Sequence, residues 1–192
     1  MCFFFAGNNS GSVEREKIEK LINIGRYAPT GGNSQGVSYV VIEGFKKVNK
    51  ISEHVVNWMD ENYQKPHAQK FFGGYYASIP SIIKSFRVEN NDRVMRSAPV
   101  AIAGTFPNWL PIGQKNVDSA LTYMELFAPS IGIGSCWAGF AQWCCFSGYK
   151  PLLDFFEIPE NRSLGGILMV GYPRTKFYRL VERNQLEVKY IK

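Results

Sequence analysis

At 192 residues, 45% hydrophobic and 20% charged, the composition is ordinary for a globular protein and excludes a disordered chain; the length suits one domain, residues 1–192, with a sizeable core. The net charge of +6 at pH 7 invites a nucleic-acid partner. The basic residues are scattered, however, and no zinc, helix-turn-helix or RNA-binding signature accompanies them, so an anionic cofactor or substrate is the simpler expectation.

Cys2, Cys136, Cys144 and Cys145 lack the spaced pairs of a zinc site and the repeated Cys-x-x-Cys of an iron–sulfur cluster, and no metal is expected. No charged segment precedes Phe3-Phe4-Phe5, and no apolar run approaches the roughly 20 residues of a membrane span. A cytoplasmic protein with reduced thiols and no membrane partner is expected.

From Ser12 the pattern predicts a helix, with Glu14 and Glu16 near its positive end, Ile18, Leu21 and Ile22 facing inward, and Pro29 as its stop. The loop that follows, Pro29-Thr30-Gly31-Gly32-Asn33-Ser34-Gln35, sits where helix hands over to sheet. Gly31 and Gly32 permit positive φ and close backbone approach, while Thr30, Asn33 and Gln35 offer hydrogen-bonding groups to a planar, heteroatom-rich ligand. An ordinary helix-to-strand turn explains that string alone equally well.

Val37 to Glu43 predicts a strand, and beyond Gly44 a helix carries Val48, Ile51, Val55 and Trp58 at helical spacing. Residues 62–92 look irregular and aromatic: Phe71, Phe72, Tyr75, Tyr76 and Phe86 surround Gly73-Gly74, as core packing or as a lid over a pocket. Ala98 to Thr105 predicts a second strand, and the longest helix is expected from about Asn116 to Ile131, with Val117, Ala120, Leu121, Met124, Phe127, Ala128 and Ile131 in one stripe. Ser135–Phe140 and Leu164–Gly171 predict two more strands, Pro151–Phe156 a helix, and Leu186–Ile191 a half-exposed strand.

Three segments together, the loop 29–35, Gly132-Ile133-Gly134-Ser135-Cys136-Trp137-Ala138-Gly139-Phe140, and Gly171-Tyr172-Pro173, make residues 13–192 resemble the nitroreductase family. The branch most similar is one whose members often carry an N-terminal ferredoxin domain, which the cysteine spacing here does not supply. The resemblance implies an α+β fold with a central, mostly antiparallel sheet flanked by helices, a homodimer with the long central helix in its interface, and FMN bound between subunits. It places Pro29, Thr30, Gly31 and Asn33 along the isoalloxazine and ribityl chain, and Cys136, Trp137, Ala138 and Gly139 behind the ring, with the Ala138 amide at flavin N5. Lys176 and Arg179 match the phosphate-binding cations, and Asn90 and Arg93 are candidates for the pyrimidine edge.

No catalytic carboxylate pair or Ser/His/Asp order stands out, neither His54 nor His67 is placed as a base for Cys136, and Cys136 reads as a packing residue. The flavin carries the chemistry in the family: NAD(P)H or another donor reduces it, and a nitroaromatic, quinone or activated alkene takes the electrons. The sequence departs from the family pattern where an Arg-rich segment grips FMN; here stand Cys2-Phe3-Phe4-Phe5-Ala6, and Arg15 belongs to the first helix. Gly36 replaces a usual Pro. Two readings therefore stay open, an FMN-dependent oxidoreductase and a flavin-free or catalytically impaired binding protein on the same fold.

Overall fold

The computed structural model describes residues 12–174 and 182–191. Four strands, β1 (Ser38–Glu43), β2 (Val100–Pro107), β3 (Gly134–Trp137) and β4 (Arg162–Gly171), form one sheet in the order β1-β2-β4-β3, every neighbouring pair antiparallel. Within the interior strands, residues 100–104 of β2 and 164–171 of β4 read as unbroken apolar runs because helices cover both faces; Ala101, Ile102, Ile167 and Leu168 are fully buried.

On one face lie α1 (Arg15–Gly25) and α5 (Gly113–Phe127), with Ile18, Leu21, Val117, Leu121 and Met124 packed against Ile102 and Val170. Glycine lets these layers approach. A side chain at Gly25 would fall 2.5 Å from Met124 Cε, and one at Gly104 2.5 Å from Val117 Cγ1. The β2–β4 register slips between Gly104 and Thr105, leaving Gly165 as a bulged residue whose carbonyl accepts a hydrogen bond from Gln114 Nε2.

The opposite face is covered by α2 (Phe45–Tyr63), α3 (Ala68–Phe72), α4 (Ile79–Arg87), α6 (Gly139–Phe146) and α7 (Lys150–Phe155). Its centre is Trp58, whose ring meets Phe71, Phe72 and Trp143 at 5.7, 5.7 and 5.6 Å. Residues 62–92 are thus largely helical rather than irregular, because a 3-10 segment at Gly73–Ser78 carries the chain from α3 into α4. Phe72 is core, 1% exposed, whereas Tyr75 is 57% exposed.

Three further expectations are corrected. The longest helix is α2, with 19 residues against 15 in α5, since Pro129 tightens the end of the expected 116–131 helix into a 3-10 turn, Ala128–Ile131. The third strand stops at Trp137, and α6 begins at Gly139. Leu186–Ile191 forms no strand; Leu186 and Tyr190 are 84% and 83% exposed, and alternation without a sheet edge to pair with makes no ladder.

Cys144 and Cys145 sit in the α6 core, and burial pushes both thiols up, Cys145 to about 12. An unfolded thiol ionises near 8.5. Above that pH the unfolded chain binds fewer protons than the folded one, so stability declines from about pH 8.5 toward about 12, by roughly 1 kcal/mol per thiol at about pH 9. Urea unfolding on either side of pH 8.5 measures this, and a flat profile contradicts it.

Candidate functional site

The loop between α1 and β1 is shaped by its own backbone. Gly31–Asn33 form a 3-10 turn, and Gly32, Asn33 and Gln35 take φ of 59, 52 and 47°, a left-handed region that only glycine enters freely. Hydrogen bonds hold it: Gln35 N donates to Thr30 Oγ1 at 3.2 Å and Gln35 Nε2 to Asn33 Oδ1 at 3.2 Å. Pro29, Thr30, Asn33, Gln35 and Tyr39 line a cavity of about 660 Å³. At Gly31 a Cβ would meet Ile112 Cδ1 at 2.7 Å, so the glycine also allows close packing against Ile112.

Two residues that sequence reasoning missed fix the loop in place. Asn116, 2% exposed on α5, accepts from Gly31 N at 3.0 Å through Oδ1 and donates to Ser34 Oγ at 3.0 Å through Nδ2. Its signal was a polar residue at the head of an apolar helical stripe. Arg162, the first residue of β4, donates from Nη2 to Gly36 O at 2.7 Å and Thr105 O at 2.9 Å, and from Nε to Thr105 Oγ1 at 2.9 Å. Nothing in its local sequence marked that role.

At the other edge, β3 delivers Cys136-Trp137-Ala138-Gly139. Cys136 and Ala138 are each 1% exposed, and the Trp137 indole N–H donates to Glu125 Oε2 at 2.9 Å. The Ala138 N–H donates to Ile167 O at 2.9 Å. That amide, the expected donor to flavin N5, is thus engaged by the sheet in this structure. Gly139 is the first residue of α6, where an N–H has no intrahelical acceptor, and open space lies where a Cβ would project.

Gly139 and Trp137 line a cavity of about 320 Å³ with Arg93, Arg96, Tyr75 and Trp143. Arg93 Nη1 donates to Ser81 Oγ at 3.0 Å. Asn90 lines a different cavity, of about 610 Å³, with Phe45, Asn49 and Phe86.

The fold brings Arg93, Trp137 and Gly139 together, with Cys136 and Ala138 behind them. It keeps them from Pro29, Thr30 and Asn33. β1 and β3 are the two edges of the sheet, three inter-strand steps or about 14 Å apart. The third segment has a structural use: the Tyr172 hydroxyl, hydrogen-bonded to Glu14 and to Lys17 Nζ at 2.8 Å, ties the end of β4 to the start of α1 and holds the Glu14 carboxyl below its ordinary range. Arg15 pairs with Glu43 at 2.6 Å. Lys176, Arg179 and residues 2–6 lie outside the described residues.

An antiparallel sheet layered by helices on both faces, with a preshaped polar loop at one edge and an arginine- and aromatic-lined cavity at the other, defines an α+β protein with two candidate ligand pockets. More narrowly, the chain belongs to the nitroreductase family, whose model matches residues 8–172. A protein of Archaeoglobus fulgidus named as an NADH dehydrogenase/NAD(P)H nitroreductase is 23% identical over 173 residues, 89% of this chain and 82% of that one. A Desulfitobacterium hafniense nitroreductase with bound FMN superposes with a TM-score of 0.73 at 15% identity, covering 99% of this chain and 94% of that one. A Bacteroides fragilis nitroreductase, also with bound FMN, gives 0.67 at 16% identity, covering 98% and 91%. Among the described residues no helix is long and apolar enough to cross a membrane.

Proposed function

We propose that the protein is an FMN-dependent oxidoreductase of nitroreductase type, cytoplasmic and homodimeric. The observation that carries this reading is the open backbone at Gly139, flanked by Arg93 and Trp137. A planar ring lies against a backbone that projects no side chain, and the N–H of Gly139 replaces that of Ala138 as donor to its edge. Thr30, Asn33 and Gln35 carry groups suited to a flavin's polar rim, yet they stand at the opposite sheet edge. A ring touching both sets therefore draws the loop from one subunit and the turn from its partner. Lys176 and Arg179 are the proposed phosphate cations.

When bound, the flavin accepts electrons from NAD(P)H or another donor and passes them to a nitroaromatic, quinone or similar acceptor. The chain's residues hold and orient it: the loop reads polar edges, Gly139 donates a hydrogen bond, and Cys136, buried behind the turn, packs.

The second reading, a flavin-free binding protein on this fold, is favoured by Cys2-Phe3-Phe4-Phe5-Ala6 in place of an Arg-rich segment, and by the engagement of Arg15 with Glu43. Losing two charge-assisted contacts, each about 1.5 to 3 kcal/mol, weakens FMN by two to four orders of magnitude. The visible spectrum after adding FMN and removing the excess by gel filtration separates the two. About one flavin per subunit is expected, and a colourless protein overturns the first reading.

A further inference from the structure

The cavity of about 610 Å³ that holds Asn90 lies between the start of α2, the end of α4 and the loop 88–98. It is roomy enough for a mononucleotide, and its wall mixes aromatic and polar groups as ligand sites do. Phe45 and Phe86 line it, both half-buried, and Phe86 also packs against the core around Trp58. Asn49 and Asn90 add two carboxamides that make no hydrogen bond among the described residues. Asn90 holds a φ of 55°, and the next N–H, that of Asn91, donates to Ser85 O at 3.0 Å, which fixes the turn. Lys46 brings a cation with no carboxylate partner among the described residues, whereas Arg87 is engaged by Asp60 at 2.6 Å and Asn57 at 3.0 Å. Glu53, paired with Lys50 at 2.6 Å, contributes a carboxylate.

The remaining wall is the loop itself, and hydrogen bonds make it stiff. Asp92 Oδ1 accepts from Val94 N at 3.0 Å, Met95 N at 2.9 Å and the fully buried Ser52 Oγ at 2.9 Å, and its Oδ2 accepts from Ser97 N at 3.3 Å, tying the loop to α2. Asp92 and Ser97 line this cavity, while Arg93 and Val94 of the same loop line the one at Gly139. One loop thus borders both cavities, and the two are neighbours.

We propose that this cavity binds adenosine 5′-phosphate, as the adenosine half of NADH. The base lies against Phe45 and Phe86, the carboxamides of Asn49 and Asn90 read its edge, Glu53 accepts from the ribose hydroxyls and Lys46 meets the phosphate. Binding of adenosine phosphate stands on the cavity alone; its belonging to NADH rests on the oxidoreductase reading, in which the nicotinamide half reaches the flavin past the shared loop. A carboxamide matches the exocyclic amine and ring nitrogen that adenine presents side by side. A carboxylate suits a free ribose 2′-hydroxyl and repels a 2′-phosphate, which selects NADH over NADPH.

The first test is calorimetric titration of the full chain, as purified and after FMN loading, with adenosine 5′-phosphate, inosine 5′-phosphate and adenosine. Adenosine 5′-phosphate is expected to bind saturably, and at least about tenfold more tightly than inosine 5′-phosphate, which lacks the amine, or adenosine, which lacks the phosphate. The second is steady-state kinetics of the FMN-loaded chain with a quinone acceptor. Lys46→Ala and Asn49→Ala, both at exposed positions of α2, should raise KM for NADH about tenfold more than KM for reduced nicotinamide mononucleotide, which has no adenosine half. Absence of adenosine 5′-phosphate binding, equal affinity for the inosine nucleotide, or displacement by FMN each overturns the proposal, the last by giving the cavity to the flavin. Variants that shift both donors alike overturn the assignment to NADH. Selective binding of adenosine 5′-phosphate in a chain that takes up no FMN would sustain the cavity's ligand while sinking the oxidoreductase reading.

Discussion

Gly165→Ala is expected to cost about 3 kcal/mol or more of stability, the upper end of overpacking in a core, read as a lowered urea midpoint with an unchanged slope. A Cβ on Gly165 would stand 2.6, 2.7 and 2.8 Å from Val117 Cβ, Cγ2 and Cγ1. The methyl carbons rotate; the branch point does not. Val117 also sits 2.5 Å from the Cβ position of Gly104 on the adjacent strand, so α5 cannot slide sideways to make room. Nor can it lift freely, because Gln114 donates to the bulged Gly165 carbonyl. Combining Gly165→Ala with Val117→Ala removes the two methyl clashes and keeps the one with Cβ. The double-mutant cycle should therefore show partial rescue, with a coupling energy of about 1 kcal/mol or more. Strict additivity would mean that the helix relaxes away and the glycine is not what sets the α5–sheet distance.

That close contact was half visible in the sequence. The stripe Val117, Ala120, Leu121, Met124 announced a helix with a buried face, and the β-branched run from Val37 announced β1, since each period belongs to one backbone geometry. The facing glycines of β2 and β4 gave no sign of which helix they admit, because sheet order and bulges depend on long-range pairing. Elsewhere local signals misled. Gly73-Gly74 and Pro80 punctuate 62–92 as if it were loop, yet Pro80 sits in the first turn of α4, where its missing N–H costs nothing. The run Gly139–Phe146 is apolar except for Gln142, so it shows no clear helical period and hides α6 behind the strand before it.

The candidate site divides in the same way. Its parts were legible as types: a loop able to take positive φ, a Gly-rich turn and scattered cations. Their grouping was not, because spacing along the chain says nothing about loop 29–35 and turn 136–139 leaving opposite edges of the sheet. The Ala138 amide illustrates the limit at atomic scale. Pattern assigns a position to a motif, but whether its N–H is free depends on Ile167, which the β3–β4 register places opposite it.

Arg162→Met should show what the loop's position is worth. The guanidinium reaches Gly36 O, Thr105 O and Thr105 Oγ1 at once. No carboxylate pairs with it among the described residues, so its attachments are to dipoles of the loop exit and of β2. Burial lowers its pKa, yet a guanidinium stays charged across the accessible range and the effect should not depend on pH. Removing it strands acceptors beside the 2%-exposed Thr105; about 2 to 3 kcal/mol of stability is expected to go, discounted from the full worth of three charge-assisted bonds because the group is partly solvated. Arg162→Lys should recover little, since a single ammonium on a flexible stem does not span three acceptors placed for a planar fork. FMN affinity supplies the contrast with Gly165→Ala. If Arg162 sets the pose of Thr30 and Asn33, then at a temperature where both variants are folded Arg162→Met should bind FMN about tenfold more weakly than Gly165→Ala. Equal affinities would leave the loop anchored by Asn116 alone, through Gly31 N and Ser34 Oγ, and would confine Arg162 to holding β4 against β2.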